Sequence, residues 1–286
     1  MLQVGDFRIH MMNESVIKVD PGGAFGLVPR VLWSQLMPPD ENHLVPMIHN
    51  CLLVQIGDRN ILVDTGHGEK LNDKQKGFMQ LQRPYGGLTD SLARLGLAPA
   101  DIHLVIDTHL HGDHAGGNTR FDEAGKVVAT FPNAEYVVQR REYEDAMHPN
   151  ERTRATYFPI NYQPLYESGQ MRLLDADSEL FAGITGHVTR GHTPAHMSIR
   201  FESKGHQALF VCDMASYAIH FERLGWMTGY DVEPLETLET KRHWQQWALE
   251  TGALLIFCHD PQRAAGHYVM GRDGKASVVS IYEPFV

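Results

Sequence analysis

The chain concentrates three imidazoles and a carboxylate in the six residues His109-Leu110-His111-Gly112-Asp113-His114. A structural core has no use for so many titratable side chains within about one turn of chain, whereas His and Asp are common metal ligands. The spacing fits two cations better than one, because the first two histidines can turn to one side of a tight loop and the Asp-His pair to the other. Two metals indicate hydrolytic chemistry. The alternative, a surface loop that happens to be rich in histidine, is disfavoured by the order of these residues.

The segments around this motif predict where it lies in the fold. A strand-length apolar run, Ile102-His103-Leu104-Val105-Ile106-Asp107, precedes it, and the glycine-containing stretch His114-Ala115-Gly116-Gly117-Asn118 follows it. Ligands between a strand end and a turn or helix start are held on a rigid frame and face solvent. We therefore expect a metal site that is open to substrate.

Four ligands cannot complete two metal sites, so the chain must supply further donors. His192 lies in a turn built from Gly and Pro after an apolar stretch, Asp213 ends a five-residue apolar run, and His259 ends another apolar run. An aspartate at the end of a buried strand costs desolvation free energy unless something pairs with it, and a metal ion is the strongest partner. These three residues are therefore predicted to join the motif.

The order His-X-His-X-Asp-His, then Gly-His-Thr-Pro, then a strand-end Asp and a strand-end His resembles that of the metallo-β-lactamase fold hydrolases, over roughly residues 45 to 286. The resemblance implies an α+β fold, a four-layer αββα sandwich. The ligands it implies are His109, His111 and His192 for the first metal, Asp113, His114 and His259 for the second, and Asp213 as the bridge between them. The stretch Ile61-Leu62-Val63-Asp64-Thr65-Gly66 also matches the family, which places its Asp beside a ligating histidine as a hydrogen-bond acceptor.

The resemblance also implies a mechanism. Two divalent metals, with zinc expected and iron, manganese or cobalt also compatible, share a water and make a metal-bridging hydroxide available as the nucleophile. Asp113 is expected to carry the proton from nucleophile to leaving group. Tyr217, four residues after Asp213, is a candidate hydrogen-bond donor to the substrate oxyanion, because some lactonases of this fold use a tyrosine shortly after the same aspartate. The alternative for Tyr217 is an aromatic side chain packed in the protein.

The layout and composition of the chain resemble those of one branch of the family, the lactonases and organophosphate (methyl parathion) hydrolases. The hypothesis is a di-metal hydrolase that opens lactones, with N-acyl homoserine lactones as candidates and with side activity on esters or phosphotriesters. Two alternatives stay open on the same fold. A glutathione thioester hydrolase needs a cationic cluster that the sequence does not show, and a persulfide dioxygenase would bind a single iron.

The chain is expected to be a single domain, 1–286, because no linker-like segment interrupts it. Residues 1–48 are expected to form an N-terminal extension that covers the pocket or serves as the arm of a homodimer. Apolar loops such as Pro21 to Pro46 predict a small, neutral, partly hydrophobic substrate. Helices are expected near residues 88–95, 141–147 and 235–251, and hairpin turns at 203–206 and 272–275.

The remaining composition excludes other classes of protein. A formal charge of −10 without a Lys/Arg cluster argues against nucleic acid. No apolar stretch approaches the roughly 20 residues of a membrane helix, and no secretory signal is visible, so a cytoplasmic location is expected. The three cysteines, Cys51, Cys212 and Cys258, each lie in an apolar run and are predicted to be buried thiols rather than ligands, since strand alternation would turn Cys212 away from Asp213.

Overall fold

Two seven-stranded sheets form the centre of the structure, a computed structural model that describes residues 1–282. The first sheet contains, in spatial order, β1 (Leu2–Val4), β2 (Phe7–Val19), β3 (Val45–Ile56), β4 (Arg59–Val63), β5 (Leu104–Ile106), β8 (Glu135–Gln139) and β9 (Met171–Leu174). A separate pair is formed by β6 (Thr119–Phe121) and β7 (Val127–Ala129). The last residues of the predicted domain, 283–286, lie outside the described part of the chain.

The second sheet contains, in spatial order, β10 (Ser178–Phe181), β11 (Ile184–Val188), β12 (Met197–Ser203), β13 (His206–Phe210), β14 (Leu254–Ile256), β15 (Ala265–Met270) and β16 (Ala276–Tyr282). The helices are α1 (Pro21–Phe25), α2 (Arg30–Trp33), α3 (Asp73–Met79), α4 (Leu88–Arg94), α5 (Arg140–Met147), α6 (Gln163–Glu167), α7 (Ala218–Glu222) and α8 (Pro234–Thr251). Short 3-10 turns cover Pro99–Asp101, Pro159–Asn161 and Cys212–Met214. The three predicted helices correspond to α4, α5 and α8, and both predicted hairpin turns are present.

Three buried apolar clusters define the layers. Between the sheets, residues such as Val54 of β3 and Phe210 of β13 belong to one core. The outer face of the first sheet packs under Leu92 of α4, and the outer face of the second sheet packs under Trp244 of α8. Because both faces of each sheet are covered, the central strands are continuous apolar runs rather than alternating ones. The predicted α+β, four-layer αββα sandwich is therefore confirmed.

Part of the N-terminal extension belongs to the first sheet. The antiparallel register of β2 and β3 runs from Arg8↔Gln55 to Val19↔Val45, and Phe7 of β2 is buried in the core between the sheets. The connection between β2 and β3 instead carries α1 and α2 and packs through Phe25 and Trp33 into a separate aromatic cluster. Within the extension, this connection is the part that could cover the pocket or serve as a dimer arm, and that role stays a prediction. The single-domain assignment also stays a prediction.

Parallel strand pairs place several strand ends at one edge of the sandwich. In the first sheet β4, β5 and β8 are parallel, and in the second sheet β13 and β14 are parallel. The carboxyl ends of parallel strands meet at the same edge of a sheet, and this edge is where α/β folds commonly bind ligands. The His-rich motif follows β5, Asp213 follows β13, and His259 follows β14.

Among the described residues no helix is long and apolar enough to cross a membrane. The cytoplasmic location and the absence of a nucleic-acid partner stay predictions.

Candidate metal centre

The loop that carries the His-rich motif is held in place by a buried carboxylate on α5. Glu142 accepts hydrogen bonds from the backbone N–H of Leu110 at 3.0 Å, from the Tyr157 hydroxyl at 3.0 Å and from the Thr193 hydroxyl at 2.5 Å. Leu110 lies inside the motif, and Thr193 follows His192 in the second ligand-bearing turn. Glu142 therefore fixes two ligand-bearing segments relative to each other, a role that its position on a helix gave no reason to predict.

The structure brings all seven predicted ligands together in one cluster. In the first half of the cluster, His192 Nε2 lies 3.1 Å from His111 Nδ1. Asp213 Oδ2 lies 3.4 Å from His192 Nε2 and 3.6 Å from His109 Nε2. The three imidazoles that were predicted to hold the first metal thus converge beside one oxygen of Asp213.

The second half of the cluster also contacts Asp213. His114 Nε2 lies 3.2 Å from His259 Nε2. Asp213 approaches His114 through Oδ2 and His259 through Oδ1, in both cases at 3.1 Å. Asp113 Oδ2 lies 3.6 Å from His114 Nε2 and 3.8 Å from His259 Nε2. Asp213 therefore stands between the two halves, as expected of a bridging carboxylate.

The donor set fits metal ions. Donors about 2.0–2.2 Å from a shared zinc lie roughly 3–4 Å from one another, which is the spacing found in the cluster. The buried Nε2 atom of His109 has no hydrogen-bond partner among the described residues, and an unpaired polar atom in a buried position costs free energy unless something binds it. Asp113 is the exception to the general burial, with 27% of its side chain exposed. Asp113 is therefore the carboxylate of the cluster that a substrate can reach.

Each of four histidines predicted to be ligands has its second ring nitrogen held by the protein. Asp64 Oδ2 lies 2.9 Å from His114 Nδ1, as the family resemblance implied. Asp231 Oδ1 lies 3.0 Å from His192 Nδ1. His109 Nδ1 lies 3.1 Å from the Thr108 hydroxyl, and His259 Nδ1 lies 2.8 Å from the Ile48 carbonyl oxygen. Such partners fix the tautomer and the orientation of a metal-binding imidazole.

Burial and charge set the protonation of the cluster. Burial lowers the pKa of His109 to about 3, which keeps that imidazole neutral and able to bind a metal. Burial also opposes the charged form of His192, but the carboxylates of Asp213 and Asp231 raise its pKa to about 9. The imidazoles around Asp213 hold the pKa of its carboxyl well below the usual range against the effect of burial. The metal-free cluster therefore carries protons that bound cations would displace.

The cysteines are buried and unpaired, as predicted, but Cys212 does not follow the strand alternation that was expected. Strand β13 ends at Phe210, and Cys212 begins a 3-10 turn with a φ of 49°. Its Sγ lies 3.2 Å from the Thr108 hydroxyl and 3.7 Å from His114 Nδ1. The alternation argument was wrong because the strand ends before Cys212. The Cys212 thiol instead lies next to Thr108 and to Nδ1 of His114, where the supporting hydrogen bonds of the cluster are made.

Within the described residues, the Tyr217 hydroxyl hydrogen-bonds to none of the seven clustered residues. Its side chain is fully buried, its ring stacks on Phe25 with centroids 5.8 Å apart, and its hydroxyl lies 3.5 Å from the Pro46 carbonyl oxygen. These contacts agree with the alternative of a packed aromatic. A role for Tyr217 as donor to the substrate stays a prediction.

Three histidines beside the cluster were given no role from sequence. His49 of β3 lies with Nε2 at 3.2 Å from Asp113 Oδ2, and the ring of His67 packs against His49 with centroids 4.3 Å apart. His196, in the turn after His192, accepts a hydrogen bond at Nε2 from the backbone N–H of Asp213. The sequence signal for His49 is a polar residue inside a mainly apolar strand, which more often marks a satisfied core residue than a functional one.

Known proteins are similar to this chain in sequence and in fold. The family model described as the Metallo-beta-lactamase superfamily matches residues 44–251. An N-acyl homoserine lactonase of Bacillus sp is 28% identical over 227 residues, which cover 76% of this chain and 82% of the lactonase. A probable metal-dependent hydrolase from Staphylococcus aureus has a solved structure with 30% identity, a TM-score of 0.89 and coverage of 100% of both chains. AidC, a dizinc quorum-quenching lactonase, is 20% identical with a TM-score of 0.77, covering 100% of this chain and 97% of AidC, and shows the common fold alone.

Proposed function

The chain belongs to the metallo-β-lactamase superfamily, and on that premise we propose that it is a two-metal hydrolase that opens lactones, with N-acyl homoserine lactones as the first candidates. The observation that carries the proposal is the position of Asp213, whose two oxygens face both groups of imidazoles at 3.1–3.6 Å. A single-metal centre has no need of a second group of donors around that carboxylate. The lactonase names of the relatives support lactones as the substrate class.

We assign the first metal to His109, His111 and His192, the second to Asp113, His114 and His259, and the bridge to Asp213. Zinc is the proposed metal because mixed His and carboxylate ligands suit it, although iron, manganese and cobalt are compatible with the same donors. When bound, two such metals lower the pKa of a shared water toward neutrality and polarise the substrate carbonyl oxygen.

Asp113 has the position needed to handle a proton. It is the partly exposed ligand, so one of its carboxylate oxygens can reach the reacting ester bond while the other faces the imidazoles. Opening a lactone releases a strongly basic alkoxide, which a positioned acid must protonate as the C–O bond breaks. We propose that Asp113 takes the proton of the attacking water and delivers it to this leaving oxygen.

A cavity of about 140 Å³ beside the cluster gives the proposed substrate a place to bind. Its lining includes His111, Arg152, Thr156, Tyr230 and Val232. The Arg152 guanidinium donates hydrogen bonds to the backbone carbonyls of Gly229 and Asp231, so its charge is partly engaged by the protein. A neutral acyl lactone suits such a cavity better than a polyanion. Esters and phosphotriesters are proposed as side substrates because they too need an activated water and a polarised oxygen.

Metal content and substrate turnover test this proposal together. We expect two zinc ions per chain by elemental analysis, and turnover of an N-acyl homoserine lactone that disappears after chelation and returns when zinc is restored. An aryl ester, an aryl phosphotriester and a glutathione thioester should be slower. The proposal fails if the metal-loaded chain opens no lactone. A single iron per chain with persulfide oxidation would instead favour the mono-iron dioxygenase.

We also propose that the chain forms a homodimer through the connection between β2 and β3. Leu27, Val31, Leu32 and Leu36 of this connection are exposed large apolar residues. Light scattering at micromolar concentration should give twice the mass of the chain, and the change Leu32→Glu should shift the protein toward the monomer. The control Leu235→Glu alters an exposed leucine on α8 and should leave the mass unchanged. A monomer mass for the unaltered chain would contradict the proposal.

A further inference from the structure

We propose that His49 is an additional ligand of the second metal, which would give that half of the centre three imidazoles and Asp113 besides the shared Asp213. The proposal rests on the two-metal centre described above. It concerns a residue outside the motif set, on β3, 60 positions before the first motif histidine.

The position of the His49 imidazole matches that of the other ligands of the second half. Its Nε2 lies 3.2 Å from Asp113 Oδ2, the same oxygen that faces His114 Nε2 at 3.6 Å and His259 Nε2 at 3.8 Å. The ligand atoms of His49, Asp113 and His259 all lie within 4.8 Å of one another. Three imidazole nitrogens therefore surround one carboxylate oxygen, as donors do around a shared cation.

The second nitrogen of His49 is held as that of a metal-binding imidazole usually is. Nδ1 lies 3.3 Å from the Ser15 hydroxyl, which itself lies 3.2 Å from His67 Nδ1. Ser15 faces His49 across the β2–β3 pair, directly after a register shift between Asn13 and Ser15. If Nδ1–H donates to Ser15 and the Ser15 hydroxyl donates to His67, the lone pair of His49 Nε2 is left for the metal.

The buried carboxylate of Glu14 holds His67, the residue behind Ser15, in place. Glu14 is 1% exposed, accepts a hydrogen bond from the backbone N–H of His67 at 3.2 Å, and pairs with Arg83 at 2.6 Å. The protein therefore fixes the His49 imidazole with Nε2 directed at Asp113, one of the assigned ligands. The imidazole is in position before a metal binds.

Zinc affinity of the variant His49→Gln provides the first test. Titration against a chromophoric chelator should show the second zinc bound at least about 100-fold more weakly, with the first zinc unchanged, because loss of a ligand exceeds the roughly 10–100-fold cost of losing a supporting group. The matched control is His67→Gln, which alters the residue behind Ser15 and should weaken the second zinc by less than about tenfold. Equal affinities for the unaltered chain and His49→Gln would overturn the proposal.

Two further measurements identify the ligand directly. In the cobalt-loaded protein each ligating imidazole carries one ring N–H, so His49→Gln should lose one hyperfine-shifted, exchangeable proton resonance relative to the unaltered chain. If His49→Gln does not fold, the zinc-loaded crystal structure of the unaltered chain decides. A zinc to His49 Nε2 distance of about 2.0–2.1 Å supports ligation, and a distance beyond about 3 Å leaves His49 only hydrogen-bonded to Asp113 and overturns it.

None of these measurements uses turnover, so this proposal and the proposed function fail separately. Ligation by His49 in a chain that opens no lactone contradicts the function alone. Lactone turnover by a two-zinc chain whose His49 is not a ligand contradicts this inference alone. A chain that binds a single metal contradicts the two-metal centre on which both rest.

Discussion

The change Asp213→Asn is expected to lower lactone turnover by at least roughly 10³-fold and to reduce the metal content from two ions to one or none. The amide has the shape of the carboxylate but lacks the negative charge that faces both groups of imidazoles at 3.1–3.6 Å. Two cations held close together repel each other, and a shared anion offsets that repulsion. Elemental analysis and initial rates with an N-acyl homoserine lactone measure the two effects.

The control for this prediction is Asp175→Asn, which removes the same charge from an exposed pair with Arg140. Exposed ion pairs contribute little to stability, so metal content and turnover should stay at the level of the unaltered chain. Circular dichroism distinguishes loss of metal from loss of fold. If Asp213→Asn retained two tightly bound metals and the full rate, Asp213 would not be the bridge, and the assignment of the centre would be wrong.

The sequence was sufficient to predict the clustered residues that follow strands. Parallel strands bring their carboxyl ends to one edge, so donors after β5, β13 and β14 meet although His109 and His259 are 150 positions apart. The local signal is strong because a titratable residue directly after a buried apolar run costs desolvation free energy unless it has a partner. The same reasoning predicted the longer helices, but α1, α2 and α7 have four or five residues and are too short for a periodic pattern.

The supporting residues were not predictable in this way. Glu142 follows β8 but lies on helix α5, Asp231 lies in a loop, and His49 lies within β3, so none of them belongs to a ligand motif in a loop directly after a strand. Their roles depend on side-chain contacts between distant segments, such as His49 with Asp113, 64 residues apart. The contact between His49 and Ser15 further depends on the register shift in β2, which no sequence pattern specified. The clustered residues could be inferred from the chain order, whereas their partners other than Asp64 required the packed structure.

The change Asp113→Asn is expected to lower the turnover of an N-acyl homoserine lactone by roughly 10²–10⁴-fold while the chain retains most of its metal. The amide oxygen can still face His114 and His259, and the other ligands of the second metal are unchanged. An amide, however, cannot deliver a proton to the leaving alkoxide. Rates and metal content measured on the same preparation should therefore separate, with far more rate lost than metal.

The choice of leaving group makes this prediction specific to proton transfer. A nitrophenyl ester releases a weakly basic phenolate that needs no proton, so Asp113→Asn should slow this ester much less than the lactone. A simple loss of metal or a distorted centre would slow both substrates by the same factor. Equal losses of rate for the two substrates, or losses of rate and metal in proportion, would contradict the assignment of Asp113 as the proton carrier. A rate loss confined to the lactone would identify the partly exposed carboxylate as the group that protonates the leaving oxygen.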